Sequence, residues 1–234
     1  MLHEHHLTVE RTARFFTLEP GEAGAREVWY VCHGYSQLAA RFLRYFAPLD
    51  DGTRLVVAPE ALSRYYVHED PGTGTGRGAG ARMSGPHAMA AHVGASWMTR
   101  EDRLAEIADT VAYLDALARH IARRLERPPE RVVGLGFSQG AAAVARWAAR
   151  GGTPLDRLIL WGHALPPDLD LAAGRPLATD GVRLVWGEQD PYYEAERLRS
   201  DAERLREAGT MCETLVYAGG HHLSREVLAR LTAW

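Results

Sequence analysis

Short apolar runs of strand length recur along the chain and alternate with stretches whose apolar positions fall every three or four residues. The runs lie at 28–32, 54–58, 131–137, 158–161, 182–186 and 213–217, and each reads as a buried strand. The longest helical stripe is Leu104, Ile107, Val111, Leu114, Ile121 and Leu125, filled in by Ala108 and Ala118. Thr99-Arg-Glu-Asp102 before it fits a capping box with Thr99 as N-cap, and Pro128-Pro129 stops it, which predicts a helix of about 26 residues. Shorter stripes predict four more helices. These are Leu38 to Phe46, ended by Pro48; the Ala-rich run after Ser138; 192–208, with Gly209 as the glycine just past the end; and Leu223 to Leu231. Residues 7–18, rich in β-branched and aromatic side chains, predict one or two edge strands. Strands alternating with helices imply a largely parallel sheet covered on both faces.

The pattern dissolves between Val67 and Trp97. Glycine occupies every second position from Gly72 to Gly80, without the register of a dinucleotide loop or the lysine of a P-loop. Two readings stand for this insert at about 68–97: a flexible surface loop, or a mobile flap (71–85) over a site. The rest has the length of one α/β core, so the chain reads as a single domain over 1–234.

Composition narrows the function classes. A net charge of −3 gives no basis for nucleic acid or an anionic membrane as partner. All 27 basic residues are arginine, which fits codon bias in a GC-rich genome better than selection for guanidinium chemistry. Two cysteines, Cys32 and Cys212, are too few for a disulfide framework, and Cys32 reads as a small core residue. No apolar run has the length of a membrane span, and the first residues lack the apolar segment of a secretory signal. A cytoplasmic location is the expectation. His3, His5 and His6 have no supporting cysteine or carboxylate spacing and read as solvated rather than as metal ligands.

Chemistry collects where the strands end. In an open α/β sheet the carboxyl ends of the strands carry the function. There the chain places His33-Gly34-Tyr35, Ser138, Trp161-Gly162-His163, Asp190 and His221-His222. Ser138 sits in Gly136-Phe-Ser-Gln-Gly140 between a strand and a helix, the context in which a G-x-S-x-G turn exposes a serine hydroxyl. Serine, acid and histidine in that order match an acyl-transfer triad. A serine hydroxyl is a poor nucleophile until an imidazole takes its proton, and a carboxylate fixes that imidazole's tautomer. Asp190 is favoured over Glu188 because Asp190-Pro191 stands at the loop apex, although an Asp there also suits a helix cap. His221 is the first choice of base because Gly219-Gly220 precedes it; His222 is the alternative and His163 a distant third. The backbone N–H groups of Tyr35 and Gln139 would face the oxyanion, with Gly34 supplying a positive φ to aim the first of them.

Taken together, His33-Gly34, Gly136 to Gly140, Gly187-x-x-Asp190 and Gly219-Gly-His221 resemble the phospholipase/carboxylesterase branch of the α/β-hydrolases, which includes the acyl-protein thioesterases. The resemblance runs from about residue 27 to the end. It implies an α/β-hydrolase fold, with a mostly parallel central sheet, helices on both faces and antiparallel N-terminal edge strands. It implies Ser138, Asp190 and His221 as catalytic residues and Tyr35 and Gln139 as the oxyanion hole. Gly34, Trp97, Met98 and Trp161 are the expected substrate-binding residues, with Trp97 the aromatic side chain beside the acyl site. Trp161-Gly-His stands where many relatives have Ser-Gly. The implied substrate is a small-molecule ester or thioester of a small to medium acyl group, with a lysophospholipase or other acyl hydrolase, or a non-catalytic ligand-binding protein on the same fold, as the alternatives; no metal or organic cofactor is implied.

Overall fold

A computed structural model describes residues 1–22, 24–67, 92–171, 176–232 and 234. The insert at 71–85, and with it the flap reading, lies outside the described residues. Seven strands form one twisted sheet: β1 (Phe15–Leu18), β2 (Glu27–Cys32), β3 (Arg54–Pro59), β6 (Arg131–Phe137), β7 (Arg157–Trp161), β8 (Gly181–Gly187) and β9 (Cys212–Tyr217). Their order is β1-β3-β2-β6-β7-β8-β9, and every pair is parallel except β1 with β3, where Phe15 faces Pro59. β4 (Ser63–Val67) and β5 (His92–Ser96) form a separate antiparallel pair.

The sheet is buried on both faces, and the alternation of side chains along each strand feeds two cores. Val28, Tyr30 and Cys32 point to the face covered by α2 (Arg103–Arg124), α3 (Gln139–Arg150) and α4 (Ala195–Glu207). Trp29 and Val31, one residue out of phase, point to the face covered by α1 (Ala39–Phe42), the 3₁₀ segment Leu43–Leu49 and α5 (Arg225–Leu231). Continuous apolar runs without strict alternation are what two buried faces require.

Several boundaries differ from the sequence expectation. α2 begins at Arg103, after Asp102 in the left-handed region at φ 47°. Thr99 is therefore no N-cap; its N–H and hydroxyl both donate to the Glu106 carboxylate, seven residues on. Leu104 falls outside the buried stripe and is exposed. Residues 7–14 make no strand, because only Phe15–Leu18 finds an edge to pair with. The stripe at 38–46 forms one α-turn and then tightens to 3₁₀ geometry with Pro48 inside it. Among the described residues no helix is long and apolar enough to cross a membrane.

Candidate active site

The turn from β6 into α3 carries Ser138. Its backbone takes φ 52° and ψ −125°, a conformation that a side-chain-bearing residue adopts only when its surroundings impose it. The surroundings here are steric. A Cβ on Gly136 would come within 2.3 Å of Gly140 O, and one on Gly140 within 2.2 Å of Cys32 O. Both glycines are needed because the helix start is pressed against the ends of β6 and β2. The Ser138 N–H donates across to Trp161 O on β7 at 2.8 Å, which pins the turn to the neighbouring strand.

Three loops from distant parts of the chain meet at this serine. His221 Nε2 lies 2.9 Å from Ser138 Oγ, and His221 Nδ1 lies 2.7 Å from Asp190 Oδ2. A carboxylate only accepts, so Nδ1 carries the hydrogen and Nε2 is left to accept from the serine hydroxyl. Asp190 is held in turn, its Oδ1 accepting from Tyr192 N–H at 2.9 Å. Its side chain is 1% exposed, against 18% for His221. The His221 ring is flanked by Phe137 and Tyr192, each with its centroid 4.9 Å away. His222 turns away and packs edge-on to Tyr217, with centroids 6.0 Å apart. Of the two adjacent histidines, only His221 reaches Ser138.

The loop after β2 approaches from the other side. Gly34 stands against Ser138: a Cβ there would meet Phe137, Gln37 and the Ser138 Cβ at 3.1–3.3 Å. Gly34 does not have the positive φ expected of it; that conformation falls on Ser36, at φ 64°. Close packing, not backbone freedom, favours a glycine here, and its N–H donates to Gln37 Oε1 at 2.8 Å. Among the described residues the backbone N–H groups of Tyr35 and Gln139 donate to no other protein group. The exposed Tyr35 ring stacks on Tyr65, with centroids 5.5 Å apart. His33 is fully buried, its Nδ1 2.7 Å from Gly34 O and its Nε2 accepting from Ala61 N–H at 3.1 Å. Burial pushes its pKa below the ordinary value, so it stays neutral and braces the loop.

The remaining expected residues divide. Trp97 and Met98 follow β5 and are brought to the start of α3 by the Gln139 side chain. Its Oε1 accepts from Trp97 N–H at 3.0 Å and its Nε2 donates to Met98 O at 2.8 Å. The Trp97 indole is buried, with Nε1 donating to His33 O at 2.7 Å. Trp161 is not brought in. Its indole lies in the core on the α1–α5 face, 1% exposed, and donates to Tyr217 Oη at 3.2 Å. What Trp161 contributes to the site is the carbonyl that holds Ser138 N–H.

The sequence reading assigned nothing to the Gln139 side chain or to Arg146. Arg146 is buried, grips Asp168 in bidentate fashion at 2.7 and 3.0 Å, and touches Met98 Sδ at 3.5 Å. The carboxamide has no periodic or motif signal of its own, because its partners come from a strand that the hydrophobic pattern does not announce. Among the described residues the imidazole–carboxylate group spaced for a metal is Glu4, His6 and Asp102, all exposed.

No protein-family model matches the chain, and no curated protein matches it by sequence. Solved structures do. Esterase PE8 is similar at a TM-score of 0.69 and 20% identity, over 95% of this chain and 97% of that one. A Bacillus cereus carboxylesterase is similar at 0.68 and 14%, over 95% and 92%. A phospholipase/carboxylesterase from Dyadobacter fermentans gives 0.63 and 17%, over 97% and 99%. Likenesses that span nearly the whole of both chains show the architecture, and the chain has the α/β-hydrolase fold.

Proposed function

We propose that the protein is a serine hydrolase that cleaves carboxylic esters or thioesters of small to medium acyl groups through an acyl-enzyme intermediate. The observation that carries this reading is the continuous relay from Ser138 Oγ through His221 to Asp190, at 2.9 and 2.7 Å, on a strained turn. The mechanism follows from the donors and acceptors. His221 Nε2 takes the Ser138 proton as Oγ attacks the substrate carbonyl carbon, and the Asp190 carboxylate stabilises the imidazolium that forms. The oxygen of the tetrahedral intermediate is received by the N–H groups of Tyr35 and Gln139. Backbone donors held in place by the fold need no reorganisation as charge develops. Nε2–H then protonates the departing alkoxide or thiolate. A water attacks the acyl-serine by the same relay in reverse.

The closeness of several esterases in fold supports this reading, and the relay geometry makes it specific to named residues. Ser138→Ala should lower kcat/KM for p-nitrophenyl esters by about 10⁴-fold or more, leaving the residual rate of the oxyanion donors and binding alone. The same variant should fail to react with a fluorophosphonate probe that labels the wild-type chain at one site. Turnover within tenfold of the wild-type rate after the substitution would refute the assignment.

A further inference from the structure

His163 is a second imidazole within electrostatic reach of His221, and the proposed reaction gives it no task. It follows Gly162, whose backbone lies directly under the relay: a Cβ there would meet Asp190 Oδ2 and His221 Nδ1, both at 3.2 Å. Gly162 turns the chain with φ +64° as it leaves β7, and its N–H is fixed to Val185 O at 2.9 Å. The Cα of His163 is one residue further on, about 3.8 Å away.

The state of the ring follows from its contacts. Nδ1 lies 2.6 Å from the Ala164 carbonyl oxygen, which only accepts, so Nδ1 carries the hydrogen. Burial pushes the imidazole below its ordinary pKa, against the pull of the Ala164 carbonyl, and Arg146 and His221 act in the same direction as burial. The ring is neutral near pH 7, and Nε2 presents a bare lone pair. Among the described residues Nε2 has no protein partner, yet it is not one of the polar atoms sealed from solvent.

The segment that carries it is braced on both sides. Leu165 N–H donates at 2.8 Å to the fully buried Asp201, which also accepts from Tyr193 Oη at 3.1 Å and pairs with the Arg197 guanidinium at 3.2 Å. Further along, the Asp168 carboxylate is held by Arg103, Arg146 and Arg150 at 3.1, 2.7 and 2.6 Å. A neutral, unpaired acceptor on the residue after Gly162, within electrostatic reach of His221, is available to a donor on the substrate.

We infer that His163 Nε2 is a specificity group: it accepts a hydrogen bond from a hydroxyl or amide N–H a few bonds from the scissile carbonyl. The preferred substrates are then esters or thioesters that bear such a donor. This rests on the serine-hydrolase reading above. A site with a placed hydrogen-bonding group discriminates against the analogue that lacks the matching partner, because the group is then left unpaired.

Two matched ester pairs test it on the full chain. In one, p-nitrophenyl 3-hydroxybutyrate against p-nitrophenyl butyrate, the donor is on the acyl side; in the other, glycerol 1-monobutyrate against propyl butyrate, it is on the leaving alcohol. The readout is the ratio of kcat/KM within each pair for the wild type, His163→Ala and His163→Gln, with Ser138→Ala as the control for turnover. Forming the ratio cancels any loss of folded protein. The wild type should favour the donor-bearing ester in at least one pair, and that pair identifies the side that His163 faces. His163→Ala should cut the preference by about fivefold to tenfold, the worth of one hydrogen bond. His163→Gln, which keeps an acceptor oxygen at similar reach, should retain most of it. Ratios unchanged in both pairs for His163→Ala, with turnover still abolished by Ser138→Ala, overturn the role of His163 and leave the hydrolase reading standing. Turnover within tenfold of the wild-type rate in Ser138→Ala overturns both.

Discussion

Gly140→Ala adds one methyl group at the tightest point of the site. Its Cβ would stand 2.2 Å from Cys32 O and 2.4 Å from His33 O. Both are main-chain atoms at the exit of β2, so no rotamer change relieves the contact. Carbon and oxygen do not normally approach closer than about 3.0 Å, and the start of α3 and residues 32–33 would have to part by roughly 0.8 Å. Overpacking of this kind costs about 1–3 kcal/mol. For a chain of this length that lowers Tm by about 2–12 °C. The effect on activity is larger, because the parted segments carry the Gln139 and Tyr35 amides, and loss of one aligned oxyanion donor costs about 10²–10³ in kcat. The assay is p-nitrophenyl butyrate hydrolysis beside thermal unfolding, with the rate of fluorophosphonate labelling as a check on the nucleophile. Wild-type Tm with wild-type kcat would refute the close approach itself. A lowered Tm with wild-type kcat would refute the use of the two amides.

Asp190→Asn should cost about 10⁴-fold in kcat, because an amide N–H facing His221 Nδ1 stabilises the tautomer that leaves no lone pair for Ser138; a loss of tenfold or less would argue against the relay. Asp168 should make stability acid-sensitive. Its hydrogen bond to Arg146, with Arg150 adding to the field, brings its pKa down to about 2, below the ordinary 3.8. A depressed folded-state pKa gives stability that is fully present above about pH 4 and is lost as the pH falls toward 2. Urea unfolding from pH 5 to 2 should therefore show a flatter decline for Asp168→Asn than for the wild type, and equal slopes would contradict the assignment. Both thiols should be unreactive toward a disulfide reagent until the chain unfolds, since burial raises the pKa of Cys32 and pushes that of Cys212 up to about 11. Rapid titration of either in native protein would show that its wall opens.

Most of the sheet was legible because its strands are buried on both faces. A continuous apolar run such as 28–32 has few alternative uses in a chain of this length. The relay was legible for a different reason: Ser138, Asp190 and His221 each follow such a run at once, so a correct strand assignment brings them to one edge of the sheet. The failures cluster where tertiary partners decide. β4 and β5 are short, face solvent on one side and find each other across residues 68–91, so neither carries a local signal. Thr99 has the composition of a cap, but the nearby Glu106 carboxylate satisfies its donors and the helix starts four residues later. Trp161 was expected at the pocket because it ends a strand near the site. The parity of β7 sends its indole to the opposite face, and only its carbonyl serves Ser138. Gly34 was expected for its backbone freedom and instead sits in a tight space among the Phe137, Gln37 and Ser138 side chains.

Gln139 joins two parts of the site that are usually varied independently. Its main-chain N–H is one of the proposed oxyanion donors, and its carboxamide holds the main chain of Trp97 and Met98. The wall expected beside the acyl group and the amide that would stabilise the developing charge are therefore parts of one rigid lever. A change at Trp97 or Met98 meant to widen the range of acyl groups would pull on the amide and slow the chemical step. On the proposed reading, substrate range and turnover are coupled through position 139, and altering one without the other calls for compensation there.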